Sequence, residues 1–316
     1  MSFTESVNGL SRGLDQWDDA RILGLLAEGQ AQAVASVKEA LPAVAKAAEA
    51  LAHGLAQGGR IVYAGAGSSI NIAVQDGAEL PSTFGLERSR IAFVIAGGEA
   101  SLLDIDARAE DDTEAALAGI AALALTPKDT VIALSASGST PFTLTATRAA
   151  KAAKANVIAI ANNPKTPLLA VADHAILLAT GPEVIVGSTR MGAGTAQKCA
   201  LGLLSTLAHI KLGAIYDGWM IRLQADNAKL RKRAERMVAD IAKVDEAAAG
   251  KALAETDGHV APAALICAGA KDAAAAEALL AKTNGNLRRA LEHLAGLRAN
   301  PGNVEDFGDK DTLQAM

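Results

Sequence analysis

The chain has 316 residues and a formal net charge of −5; half its residues are apolar but only 3% are aromatic. That length can bury a sizeable core, and apolar mass made largely of Ala, Leu, Val and Ile suits helices on a buried sheet better than a β-sandwich. Lys and Arg are spread along the chain, so no basic stripe exists to follow a phosphodiester backbone, and nucleic acid is excluded as an expected partner.

Cys199 and Cys267 stand in apolar stretches without CxxC spacing, as small buried side chains do in a reducing compartment. The opening MSFTESVNGLSRGLDQWDD carries acids where a secretory leader has a basic and then an apolar stretch. No apolar run approaches the roughly 18 residues of a membrane span. The expectation is a soluble, cytoplasmic protein without a membrane partner.

Residues 14–53 have helical apolar spacing, with a break expected at Pro42. After Gly58-Gly59 the pattern changes to a short β-rich run, 60–64, ending in Gly65-Ala66-Gly67-Ser68-Ser69. A helix follows and should close at Pro81. Residues 91–95 form the next strand, ending at Gly97-Gly98. The unit recurs with a strand at 130–134, the loop Ser135–Thr140, a helix over 141–153, a strand at 156–160 and another at 175–178. Short, continuously apolar strands alternating with helices predict an α/β fold: a parallel sheet flanked by helices. Right-handed crossovers then bring both Gly/Ser loops to one sheet edge.

Further on, Gly187-Ser188-Thr189 can cap a helix running to Leu212, with Gly213 ending it. A helix is expected over 216–245, with KLRKRAERMVAD as its solvated side, then a helix–Asn284-Gly285-Asn286–helix module at about 271–297 and a loose tail over 300–316.

Gly65 and Gly67 permit close approach of a ligand, and Ser68 and Ser69 add hydroxyls where a helix begins. Ser135–Thr140 repeats that chemistry with more hydroxyls. Each loop alone reads equally as a tight turn with an N-cap; two on one edge point to a phosphate. GAGSSI lacks the third glycine of a dinucleotide fingerprint, and no GxxxxGK[ST] motif is present, so a monophosphorylated metabolite fits better than a nucleotide. Glu79, two residues before Pro81, would face the negative end of its helix with Asp76 one turn away, which favours a protonated general acid; it reads also as an exposed helix-end acid. Glu110 lies in the acidic run 109–114, where crowding raises a pKa but solvation is the ordinary fate of such runs. Five scattered histidines lack metal-ligand spacing, and there is no GxSxG elbow.

The stretch GAGSSINIAVQDGAELPSTFG resembles the N-acetylmuramic acid 6-phosphate etherase family. So do IAGGEA (95–100), AEDD (109–112), SASGSTPF (135–142), NNP (162–164), GPEVIVGSTRMGAGTAQK (181–198) and DNAKL (226–230). The resemblance spans about 14–297 and implies an SIS-type fold with an N-terminal helical arm (1–53), a sugar-phosphate-binding domain (54–214) and a C-terminal helical region (215–316) that ends in a small ubiquitin-associated-like module. It implies a lyase acting without cofactor or metal, removing D-lactate from the 6-phosphorylated sugar by elimination and hydration, and working as a homodimer with shared sites. Glu79 and Glu110 take the places of the family's catalytic glutamates. Ser68, Ser69, Ser137, Ser139 and Thr140 fall in the phosphate loops, and Glu183 falls among the substrate-binding positions. Asn71 and Ser139 stand where the family usually has Arg, and Gly192 where it has Lys. The resemblance leaves open a lyase for a related ether sugar, a non-catalytic sugar-phosphate sensor like glucokinase regulatory protein, and an aldose–ketose isomerase.

Overall fold

The computed structural model describes residues 3–104, 106–223 and 227–299, and these divide into two compact units, one ending at Lys211 and the other beginning at Leu212. Asp226 and the tail from 300 onward lie outside the described residues.

The first unit is a five-stranded, all-parallel sheet. Its strands are β1 (Ile61–Gly65), β2 (Ile91–Ile95), β3 (Thr130–Ser135), β4 (Asn156–Ala161) and β5 (His174–Leu177), in spatial order β2-β1-β3-β4-β5. β1 and β3 are buried along their whole length, as continuous apolar runs require when both faces are covered. Helices α1 (Asp19–Ala56), α2 (Gly67–Phe84) and α6 (Gly192–Lys211) cover one face. On the other, α3 (Thr113–Ala122), α4 (Pro141–Ala152) and α5 (Pro167–Val171) enclose Val62, Val94, Val131, Phe142 and Val157. The chain leaves β1 toward β2 but leaves β3 toward β4. The crevice between the β1 and β3 carboxyl ends is therefore the topological switch point, where such sheets bind ligands.

Both prolines expected to interrupt helices lie inside them. α1 begins at Asp19, where Asp18 accepts from the Arg21 backbone N–H at 2.9 Å, and it runs unbroken through Pro42. Pro42 is exposed, so the carbonyl it leaves without a partner can be solvated. Val37, Ala40, Val44, Ala47 and Leu51, buried on either side, outweigh the ~3 kcal/mol a helical proline costs. α1 is thus part of its own core, packed on α6, and not an isolated arm. α2 likewise continues past Pro81, because Leu80 and Phe84 remain buried; Gly85, in the left-handed region, ends it.

The second unit opens with a hairpin, β6 (Ile215–Tyr216) and β7 (Trp219–Met220), where a helix was expected. Asp217 and Gly218 both have positive φ, the signature of the tight turn that an Asp-Gly pair favours. Helices α7 (Ala228–Ala242), α8 (Glu246–Glu255) and α9 (Val260–Cys267) follow, then α10 (Ala273–Lys282) and α11 (Leu287–Ala299), joined through Asn284-Gly285 as the sequence predicts. Met237, Val238, Leu253, Val260, Leu265 and Leu287 centre its core. No helix among the described residues is long and apolar enough to cross a membrane.

Candidate functional site

Both serine loops lie at the carboxyl ends of adjacent strands, β1 and β3, flanking the switch point. Gly67 opens α2 at φ +52°, and neither it nor the N-cap Ala66 supplies a side-chain cap, so the first N–H groups of an 18-residue helix are left for a ligand. Ser68 is half-buried there and Ser69 buried.

The second loop is a closed hydroxyl cluster. The buried Ser135 Oγ is 2.9 Å from Thr140 Oγ1 and 3.2 Å from Ser137 Oγ, and it accepts from the Gly138 N–H. Ser137 Oγ accepts from the Ser139 N–H at 3.2 Å and from the Ser139 hydroxyl. Gly138 is at φ +69°, and a methyl group there would stand 2.4 Å from Thr166 Oγ1, so only glycine fits. Thr140 precedes Pro141 at the start of α4 and makes no side-chain cap, which again leaves helix N–H groups open. The Asn163 side chain donates to Thr4 Oγ1 (3.0 Å) and Ala136 O (2.8 Å), while its Oδ1 accepts from the Phe3 N–H. The first described residues are thereby pinned beside this loop, a contact across 160 residues with no local signal.

Glu110 sits on a short 3-10 turn, Ala107–Asp111, at the mouth of the first loop: a methyl group at Gly67 would be 3.1 Å from its Oε1. Partial burial, with Asp111 beside it, pushes its carboxyl above the ordinary range. Two neighbouring acids have structural work. Asp106 pairs with Arg108, and Asp112 caps α3 by accepting from the Ala115 N–H at 2.9 Å.

Glu79 is exposed on α2 and accepts from Gln75 Nε2 at 3.4 Å. Because α2 continues to Phe84, Glu79 is not at its carboxyl end, which corrects the placement read from Pro81. One turn earlier, Asp76 is half-buried and anchored by two hydrogen bonds. Its Oδ2 accepts from the Tyr63 hydroxyl at 2.6 Å and its Oδ1 from Ser205 Oγ at 2.9 Å. Burial raises its carboxyl, against the lowering effects of those two bonds and of Lys198, while Glu79 adds to the rise. Tyr63 and Ser205 escape sequence reading because α6 meets α2 only in the folded chain.

The structure does not bring the two candidate glutamates together within one chain. Twelve residues of α2 separate Gly67, against which Glu110 rests, from Glu79, about 18 Å along the axis at 1.5 Å per residue. Glu183, 4% exposed, turns inward: its Oε2 accepts from the Gly192 N–H at 2.9 Å and its Oε1 from the Ala193 N–H at 2.8 Å. It is the cap of α6, replacing the Gly187–Thr189 cap read from sequence. Asn71 spans from α2 to Leu102 O at 3.4 Å, in the segment leading to Glu110. Among the described residues no His, Cys, Asp or Glu cluster is arranged to hold a metal ion.

Comparison with known proteins gives two family matches, SIS domain over residues 111–206 and glucokinase regulatory protein N-terminal SIS domain over residues 43–151. The chain is 41% identical over 278 residues to the N-acetylmuramic acid 6-phosphate etherase of Streptomyces avermitilis, an alignment covering 88% of this chain and 89% of that one. It is 40% identical to the etherase of Streptomyces coelicolor (90% and 91% covered) and 39% identical to that of Salmonella agona (92% and 98% covered).

Proposed function

The chain belongs to the N-acetylmuramic acid 6-phosphate etherase family, and we propose that it is a carbon–oxygen lyase that converts N-acetylmuramic acid 6-phosphate to N-acetylglucosamine 6-phosphate and D-lactate. Such a step serves cytoplasmic recycling of cell-wall sugars.

In the open-chain sugar the C1 aldehyde acidifies the proton on C2. Glu110 removes that proton, the C3–O bond breaks, and Glu79 protonates the departing lactyl oxygen. Water then adds across C2–C3, its oxygen to C3 and a proton to C2, with Glu79 now the base that activates it. The sum is one water consumed and one lactate released, with no net redox change and no cofactor required.

The observation that carries this reading is Glu110 against Gly67, a carboxyl of raised pKa at the mouth of a phosphate-type loop. Serving as the base for C2 suits such a group, since a pKa nearer neutrality makes the carboxylate more basic. The phosphate is held by Ser68, Ser69, Ser137, Ser139 and Thr140 together with the open N–H groups of α2 and α4, a neutral cradle that needs no cation at position 71 or 139. Glu183 supports the site through α6.

Glu79 and Glu110 cannot both reach adjacent carbons from one chain. The site is therefore shared in a homodimer, Glu79 of one copy acting with Glu110 of the other. Exposed Leu203 and Ile210 on α6, and Val34 and Leu41 on α1, offer apolar surface for such pairing. Release of D-lactate from N-acetylmuramic acid 6-phosphate, abolished by Glu79→Gln and by Glu110→Gln in folded protein, is the expected result. Folded protein that binds the sugar phosphate but releases no lactate would overturn the reading.

A further inference from the structure

The amino-terminal turn, Phe3–Glu5, has no part in the chemistry proposed above, yet it is built into the serine-loop end of the site. The link is Asn163, two residues beyond β4. Its buried side chain has two donor hydrogens and two acceptor lone pairs, and all four are engaged. Nδ2 donates to Ala136 O at 2.8 Å and to Thr4 Oγ1 at 3.0 Å; Oδ1 accepts from the Phe3 N–H at 2.6 Å and the Thr4 N–H at 3.4 Å. Thr4 is itself buried, and its carbonyl accepts from the Gly187 N–H at 3.3 Å. The turn is therefore held between the serine loop and the segment that leads into α6.

What this contact fixes is the peptide unit joining Ala136 to Ser137. Ala136 O faces the β4 side, where it accepts from the Asn162 N–H at 3.0 Å as well as from Asn163. In a trans peptide the N–H points opposite to the C=O. β3 lies between β4 and β1, so the Ser137 N–H is turned toward β1, into the crevice that Ser68 and Ser69 border from the other side. Among the described residues none accepts from it. A backbone N–H aimed between two serine loops is a donor for a phosphate oxygen. Asn163 helps to set its direction, and three of the four hydrogen bonds that orient the Asn163 amide come from the amino-terminal turn.

We propose that Thr4, acting through Asn163, is a positioning residue for the phosphate: docking of the amino-terminal turn aims the Ser137 N–H at the phosphate of the sugar, which is the group that the etherase reading supplies. Because the two events share one side chain, a bound phosphate must in turn hold the turn in place.

The test compares wild type with Thr4→Val, which keeps the shape and removes the acceptor, and Thr4→Ser, which keeps the acceptor. Calorimetric affinity for N-acetylglucosamine 6-phosphate should fall about 3- to 10-fold in Thr4→Val, as loss of one hydrogen bond predicts, and return in Thr4→Ser. KM for N-acetylmuramic acid 6-phosphate should rise by the same factor with kcat unchanged. A merely structural Thr4 would lower the unfolding midpoint and leave affinity where it is. In the wild type, hydrogen exchange over residues 3–11 should slow when the sugar phosphate is added. Unchanged affinity in Thr4→Val, a loss that Thr4→Ser does not restore, or exchange indifferent to the ligand overturns the proposal. Wild type that binds the sugar phosphate in this Thr4-dependent way but releases no D-lactate overturns the etherase reading and supports the positioning role. Lactate release with a KM that Thr4→Val does not move does the reverse.

Discussion

Glu110 stands over the α-carbon of Gly67: a methyl group there would lie 3.1 Å from Oε1, a tight contact that the carboxylate would relieve by shifting a few tenths of an ångström. The glycine also sits at φ +52°. Gly67→Ala should therefore cost ~1–2 kcal/mol in backbone strain and push the carboxylate outward. The fold, measured by circular dichroism and urea unfolding, should survive with that loss. Lactate release should fall about 10- to 100-fold, because displacement of a reacting group by a fraction of an ångström to an ångström has that effect. Full activity would show that Glu110 is not held by this contact.

Glu110 owes its raised carboxyl pKa first to burial and then to Asp111. As a base it must be ionised, so the acid limb of the kcat/KM profile should lie above the pH at which an ordinary carboxylate titrates. Asp111→Asn removes a negative neighbour and lowers the Glu110 pKa, which moves that limb to lower pH. The sign also applies to stability. A carboxyl whose folded pKa is raised costs nothing below its unfolded pKa, and its cost develops as pH rises through the folded one. Asp111→Asn should flatten that decline, read by urea unfolding across the same interval. A limb that does not move, or moves up, assigns it to another group.

The sheet was legible because its strands are short apolar runs punctuated by Gly/Ser loops, and the two loops at one edge follow from parallel connections alone. The helix ends read from Pro42 and Pro81 were not, because a proline's local cost is set against tertiary burial that no window of sequence displays. The Asp217-Gly218 turn was available in the sequence but lay between two helical-looking stretches. Serine loops and acids could be picked out one by one. Their arrangement could not: Glu110 meets Gly67 across 43 residues, and Ser205 meets Asp76 across 129. Glu183 shows the same limit from the other side, since a buried acid that caps a helix beginning nine residues later looks in sequence like any acid near a motif.

That cap gives a test of its own. Glu183 is 4% exposed and holds two N–H groups of the first turn of α6, with its charge at the positive end of the helix. Glu183→Gln keeps the shape but only one acceptor oxygen, and should destabilise the protein by ~1–2 kcal/mol. Glu183→Ala leaves both donors buried and unmet and should cost ~2–4 kcal/mol. Urea denaturation reads both. Stability equal to wild type with a raised KM would instead return Glu183 to direct substrate contact.

The separation of Glu79 from Glu110 along α2 makes the sharpest prediction. If one chain supplied both groups, a Glu79→Gln protomer and a Glu110→Gln protomer would each remain dead however they were mixed. If each site takes Glu79 from one copy and Glu110 from the other, a mixed dimer carries one doubly damaged site and one intact site. Random reassociation of equal amounts makes half the dimers mixed, so lactate release should recover to about a quarter of the wild-type rate under two-fold symmetry. Recovery should require subunit exchange, by mild denaturation and refolding together or by co-expression. It should be absent when the two variants are refolded apart and then combined under conditions that block exchange. No recovery in refolded mixtures that contain the mixed dimer would mean that a single chain closes the ~18 Å gap by a rearrangement of α2 or of the turn bearing Glu110.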